Sequence, residues 1–285
     1  YELSKEEKEV VERLIFAFVN CEKLQRHMQL LLKKGSMYKI YNRNLLYHGC
    51  IPLNEDGTFK EIQVYDKVYK GKELYDVLET YVRKAFVAVD EREKEKGKDI
   101  LWFIWSSPSS PLFGKDKMAT FERYFLAEEE THKENKNAYY KFLEDEAVAD
   151  RILQEFHVTG ECTHIVNGHV PVHHGAGESP IKCGGKLLII DGGFSRAYQK
   201  ETGIAGYTLI YNSWGMILAA HEPFTSAADA ISKESDILSD SILVKRTVKR
   251  KTVGETDIGM KLKERIAELE ELLAAYRDGL LIEKS

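Results

Sequence analysis

Four of the chain's nine histidines fall within eleven residues, in the stretch HIVNGHVPVHHG at 164–175. Neutral imidazole ligates Mn, Fe and Zn without bringing a charge of its own. A histidine just after a strand, with glycine beside it, is held rigidly while backbone, metal or substrate can come close. Two places have that layout: Tyr47-His48-Gly49 and Gly168-His169-Val170. Their separation of about 120 residues does not prevent them from meeting in space. Taken alone, each also suits an ordinary structural histidine. A second reading gathers Cys162, His164, His169, His173, His174 and Cys183 into a structural zinc knot, although the spacing fits no standard Cys/His pattern. A Cys162–Cys183 disulfide is a further alternative, disfavoured by the scattered cysteines of a large reducing-compartment protein. His173 and His174 read as loop residues. His27 and His132 fall on helices, and His157 and His221 have no evident partner.

Short strands and turns must position these side chains. Leu45–Tyr47 reads as a strand ended by His48-Gly49. After Cys162 the apolar period shortens, and THIV, KLLIID, GYTLIYN and GMILAAHE read as four strands. Asn212-Ser213-Trp214-Gly215 makes the last two a hairpin. The stretch from Leu3 to Gly35 reads as one long helix opened by a Ser4/Glu7 capping box. ELYDVLETYVRKAFVAV reads as an amphipathic helix, DEREKEKGKD as a solvated loop, and ILWFIWSS as a buried strand. SSPSSPLFGKDK reads as a loop. Ala127 to Phe156 reads as helical, and SILVKRTVKRKTV as β-rich. Ile258, Leu262, Ile266, Leu269, Leu273 and Tyr276 form a narrow apolar seam on a charged terminal helix, which suits either intrachain packing or a homo-oligomer contact.

The 285 residues are 43% hydrophobic and 31% charged, with a formal net charge of -5. This is globular composition, and it lacks the basic stripe of a nucleic-acid binder. No apolar run approaches the ~20 residues of a membrane span, and the charged opening YELSKEEKEV is no signal peptide. The expected location is cytoplasmic. The first residue is Tyr, so the chain is expected to begin inside a longer polypeptide. Fifteen tyrosines and twelve phenylalanines provide large core side chains, and buried phenols need partners.

The blocks NGHVPV, GESPIK, LLIIDGGFSRAYQKETGIAGYTLIYNSWG and HEPF resemble the C-terminal half of class III fructose-1,6-bisphosphatases, members of the metallophosphoesterase or calcineurin-like superfamily. SPLFGKDKMATFERYF, NLLYHGCIPLN and the closing ETDIG…LKERIAELEELLAAYRDGLL extend the resemblance over nearly the whole chain. It implies an α+β fold: the C-terminal half of an α/β/β/α sandwich with flanking helices. In that reading residues 1–245 belong to the catalytic domain, with a leading helix at 1–35 and a helical insertion at 115–156, and residues 246–285 form a helical tail. His48 sits at the family's strand-end H-G-G ligand, with Cys50 in place of the second glycine. His169 sits in its G-H motif, where Pro171 replaces the second histidine of G-H-x-H, so His173 and His174 are not implied as ligands. The motifs D-x-H, G-D-x-x-D-R-G and G-N-H-E/D, which carry the bridging carboxylate and most other ligands, do not occur in the chain.

The resemblance therefore implies a dinuclear divalent-metal site, Mn2+ being typical, in which this chain holds His48 and His169 and the missing N-terminal portion of the same protein holds the rest. The implied reaction is hydrolysis of fructose 1,6-bisphosphate to fructose 6-phosphate and phosphate, a gluconeogenic step, with the chain inactive alone. Cations suit the phosphate that does not react. Arg196, Lys182 and Lys200 are the candidates, followed by Lys115, Lys117 and Arg123. Asp191 is either an acceptor behind a ligand histidine or a turn former. Two alternatives keep part of this reading: a phosphatase of the same superfamily acting on another phosphate ester, and a non-catalytic regulatory fragment.

Overall fold

The computed structural model describes residues 2–192, 195, 199–223, 226–234, 239–246 and 249–281. Helices α1 (Lys5–Val19) and α2 (Glu22–Lys34) lead into strands β1 (Tyr38–Tyr41) and β2 (Asn44–Tyr47). A small hairpin, β3 (Ile62–Val64) and β4 (Lys67–Tyr69), precedes helices α3 (Gly71–Val87) and α4 (Glu91–Ser106). Then come α5 (Thr120–Phe125), α6 (Glu146–Glu155), β5 (His164–Asn167), β6 (Ile181–Lys182) and β7 (Leu187–Ile189). The last elements are α7 (Gln199–Thr202), β8 (Gly206–Asn212), β9 (Gly215–His221), α8 (Ala227–Ser232), β10 (Ser239–Arg246) and α9 (Asp257–Arg277). The fold is α+β.

The central sheet has the order β1-β2-β5-β7-β6. β2, β5 and β7 run parallel, with Leu46 opposite Val166 and Val166 opposite Leu188. Both edge strands are antiparallel. Because side chains alternate between faces, Leu45, Tyr47, Ile165, Leu187 and Ile189 point into the main core with Tyr75, Tyr139, Ile152 and Phe156. Leu46, Val166, Leu188 and Ile190 form the other face, where Met216 and Leu209 of the second sheet, β10-β9-β8, pack on them. The buried phenols of Tyr47, Tyr75 and Tyr139 find partners as expected, whereas the Tyr140 hydroxyl is buried without one among the described residues. Tyr47 and Tyr139 share a 2.8 Å hydroxyl bond and Tyr75 donates to the Cys50 carbonyl at 3.0 Å, each worth about 1 kcal/mol net and costing more if left unpaired.

Several local readings hold and several do not. The hairpin forms with Asn212 opposite Gly215 and Ser213-Trp214 as its two-residue loop. The leading helix is broken in two: Asn20 caps α1 through its backbone and side-chain nitrogens, both on the Phe16 carbonyl. Ser4 and Glu7 do form the capping box. DEREKEKGKD is not a loop and ILWFIWSS is not a strand; together they are α4. Asp90 accepts from the Glu93 amide as N-cap, and Glu93 pairs with Lys84 and Lys96, so the charged run starts a helix that the apolar run continues. Only Ile100 and Ile104 of the apolar run are buried, one turn apart, while Trp102 and Trp105 face out. Continuity of apolar residues hid a period of 3.6. Residues 127–145 are not a continuous helix either. Asn137 turns its carbonyl oxygen onto the Tyr139 and Leu53 amides, and Asp116 binds Asn135. These side-chain bonds compete with the helical ladder and leave α6 as the helix of this stretch, with short 3-10 turns at 129–132 and 138–141.

At the amino end of β5, His164 is buried and its Nδ1 meets Asn44 Oδ1 at 3.1 Å. Burial, then the nearby Lys245 and Lys251, push its pKa down to about 4. The unfolded chain takes up this proton first as pH falls, so the contribution is intact above about 6.5 and disappears as pH drops toward 4. A depression of this size corresponds to about 3 kcal/mol across that window. Urea denaturation between pH 7 and 4 is expected to show the loss, and His164→Gln to flatten it. An unchanged slope in the variant would assign the acid sensitivity to other groups.

Candidate functional site

The carboxyl ends of β2, β5 and β7 come side by side, which is where open parallel sheets place ligands. His48 follows β2, His169 follows β5 and Asp191 follows β7. Register alone aligns them, and local bonds fix the ends. The Gly168 amide donates to the His48 carbonyl at 3.1 Å, and the buried Asn167 side chain donates to the Gly49 carbonyl. The Ile190 amide donates back to the Asn167 carbonyl at 2.9 Å.

The two imidazoles face one another. His48 Nε2 lies 3.2 Å from His169 Nδ1, with ring centroids 5.1 Å apart and planes at 80°. His169 Nε2 sits 3.1 Å from the Phe113 carbonyl. That oxygen only accepts, so Nε2 carries the proton and Nδ1 presents its lone pair. An outer carbonyl that fixes the tautomer and orientation of an imidazole is the usual companion of a metal-binding histidine. Two nitrogens bound at ~2.1 Å to one tetrahedral or octahedral ion lie about 3.0–3.4 Å apart, so the observed spacing suits a shared cation. The donor set fits, in number, only part of a coordination sphere: among the described residues no group of three or more His, Cys, Asp or Glu is placed to hold a metal.

Burial lowers the pKa of His169, with His48 and Lys115 acting in the same sense; the Phe113 carbonyl and the charge of Asp191 oppose it. The ring is thereby kept in the neutral form that ligates. His169 also adopts a left-handed backbone, φ 69°, unusual for a residue with a Cβ. Cys50 is no ligand. It is buried on the main core and its thiol is pushed up to about 12 by burial.

Each imidazole borders a cleft. His48 lies in one of ≈760 Å3 with Leu46, Val166 and Ile190. His169 lies in one of ≈780 Å3 with Lys115, Lys136, His173 and Thr202. The candidate cations are dispersed. Lys182 pairs with Glu144 and Glu178 opposite Leu187, at the start of β7, which is the other end of the sheet from the histidines. Lys200 is exposed on α7, whose Glu201 and Thr202 line the second cleft. Arg196 lies outside the described residues. Lys115 pairs with Glu134, Lys117 donates to the Thr131 carbonyl, and Arg123 sits by Glu134. Lys136, which the sequence did not single out, lines the cleft near the Tyr140 ring; nothing in its local pattern marked it.

The zinc knot does not assemble. His164 is taken by Asn44, His174 by the Tyr207 hydroxyl at 3.3 Å, and His169 by His48. Cys162 and Cys183 are free thiols. His221 has a partner after all, the Thr208 hydroxyl at 2.7 Å.

The candidate site of this α+β protein is thus a pair of imidazoles at the ends of adjacent parallel strands, one of them oriented by a backbone carbonyl. The family comparison agrees with that class and narrows it. The profile of the Firmicute fructose-1,6-bisphosphatase family matches residues 1–278, and the chain belongs to this family. Among curated relatives, the "Fructose-1,6-bisphosphatase class 3" of Clostridium novyi (strain NT) is 53% identical over 285 residues, covering 100% of this chain and 43% of the relative. The protein of the same name from Listeria innocua is 52% identical over 286 residues, covering 100% and 44%. That from Clostridioides difficile (strain 630) is 54% identical over 284 residues, covering 99% and 43%. The chain thus spans less than half the length of these relatives. No solved structure matches it.

Gly49 is the tightest point of the site. A Cβ there would stand 2.0 Å from the Pro111 carbonyl oxygen, which already accepts from the Cys50 amide at 2.8 Å. The displaced segment is the one that carries the Phe113 carbonyl. Gly49→Ala is expected to cost about 1–3 kcal/mol by overpacking and to move the His169 ring resonances in NMR spectra. Wild-type stability in urea together with unmoved ring signals would show that the segment yields freely.

Proposed function

We propose that this chain supplies two imidazole ligands, His48 and His169, to a divalent-metal phosphatase of the metallophosphoesterase type that hydrolyses fructose 1,6-bisphosphate to fructose 6-phosphate and phosphate, a step of gluconeogenesis in the cytoplasm. The observation that carries the reading is the 3.2 Å approach of His48 Nε2 to His169 Nδ1 at the ends of neighbouring parallel strands. The relatives' printed name gives the reaction. Manganese is the ion we assign, on the resemblance of the H-G and G-H motifs to the superfamily's ligands.

When bound, divalent ions polarise a phosphoryl oxygen and supply a nucleophilic water. The chain's own residues prepare the place for such an ion. Phe113 holds His169 with its Nδ1 lone pair turned toward His48. Burial keeps that ring neutral, so it offers a lone pair instead of repelling a cation. Lys136 lines the cleft beside His169, where a sugar phosphate would lie, with Lys115 held by Glu134 on the same wall. Two neutral imidazoles cancel none of the charge of a divalent ion, and hard cations favour carboxylates. The missing carboxylates, in this reading, come from polypeptide beyond these residues.

The test is phosphate release from fructose 1,6-bisphosphate with Mn2+. The 285-residue chain alone is expected to give little or none. The full-length protein is expected to turn over, and His48→Ala or His169→Ala within it to lower kcat/KM by at least the ~10–100-fold seen when the surroundings of a metal site are disturbed. Robust turnover by the isolated chain would overturn the need for outside ligands. Full activity in both variants would overturn the role of the histidines.

A further inference from the structure

We infer that α9 is a dimerisation element, which pairs in parallel with α9 of a second copy as a two-stranded coiled coil. Among the described residues the helix is anchored at its first turn, by a reciprocal pair in which the Asn42 amide donates to Asp257 Oδ2 at 2.7 Å and the Asp257 amide to Asn42 Oδ1 at 3.0 Å. Beyond that end it carries its apolar side chains in the open. Gly259 is its one buried residue among those described, whereas Leu262, Ile266, Leu269, Leu273 and Tyr276 are each between 47% and 55% exposed.

Their spacing of four, three, four and three is the 3.5-residue repeat of a coiled-coil seam. Ile266 and Leu273 occupy a positions; Leu262, Leu269 and Tyr276 occupy d positions. An Ile at a with Leu at d favours two parallel strands. The flanks suit the parallel orientation. In a parallel, in-register pair each g residue meets the e residue five positions later on the partner helix. Arg265 then meets Glu270, an opposite-charge pair formed twice by symmetry. Ile258 meets Lys263 and Leu272 meets Arg277, so the long aliphatic stems cover the two exposed apolar g residues. The antiparallel arrangement that aligns Leu269 with Leu273 sets Glu270 against Glu270 and Lys263 against Arg277, both repulsive; the one that aligns Ile266 with Leu269 sets Lys263 against Glu270, so the Ile at a, not charge alone, decides for the parallel pair. The internal Arg265–Glu268 pair is solvent-exposed on both sides, so exchanging it for Glu270 costs little.

The experiment uses the 285-residue chain carrying Cys21→Ser, which removes its exposed thiol. Sedimentation equilibrium is expected to show a dimer, weakened by about 30-fold or more in Leu269→Glu, as for a central interface residue. Glu271→Ala, on the outer side of the same turn, is expected to leave it unchanged. Circular dichroism checks that both variants keep their helix content. Leu269→Cys is expected to form a disulfide-linked dimer on oxidation by copper phenanthroline, since d residues of parallel in-register strands face each other. A monomer at all concentrations, or a dimer that persists in Leu269→Glu, would overturn the proposal. Cross-linking of a Leu269→Cys/Leu273→Cys or an Ile266→Cys/Leu269→Cys chain but not of Leu269→Cys alone would overturn the parallel orientation.

Discussion

Parallel pairing of β2 with β5, and of β5 with β7, is the constraint on which the rest depends. The register that sets Leu46 beside Val166 also sets His48 beside Gly168 and brings His169 level with Asp191. A slip of one residue would turn Leu45 and Ile165 out of the core and send every side chain to the opposite face. Burial of those residues, together with Tyr47 and Leu187, makes that slip costly. The same apolar packing that stabilises the sheet therefore fixes the distance between two imidazoles from segments about 120 residues apart. Asn167 completes the coupling: its buried amide ties the end of β5 to the backbone just after His48.

How much of this could be read from the sequence depends on how local the cause is. The Ser213-Trp214 hairpin, the β7 to β9 strands and α9 follow from turn residues and period, and they form as those signals require. His48 and His169 are identifiable from a strand, a glycine and a motif. The α4 segment defeats a reading by apolar continuity, because a capped charged half starts the helix and burial of Ile100 and Ile104 one turn apart continues it. What orients the site is not legible at all. The Phe113 carbonyl and the Pro111 contact with Gly49 come from a loop roughly sixty residues from either strand end, and backbone groups in loops carry no sequence signature. Lys182 suits an anion by type, yet the antiparallel turn of β6 delivers it to the wrong end of the sheet, between two carboxylates.

Among the described residues the second face of the central sheet is only partly covered. Met216 and Leu209 close part of it, and two clefts, of ≈760 and ≈730 Å3, both reach Leu46, Val166 and Ile190. α1 and α2 have no buried residue among those described, and α1 shows Leu14, Ile15, Phe16 and Phe18 to solvent. Parallel sheets are as a rule covered on both faces, and the relatives are more than twice as long. An apolar face of this kind borders His48 directly, so polypeptide that covered it would arrive next to the imidazole pair.

The left-handed turn at His169 sets backbone preference against the side chain placed there. With φ at 69° the backbone there suits glycine better than any side chain, at a cost of order 1 kcal/mol. A chain optimised for folding alone would lose the imidazole and gain stability. Keeping a ring at this corner is a standing local sacrifice, and a stability-driven exchange to glycine would remove the imidazole that faces His48.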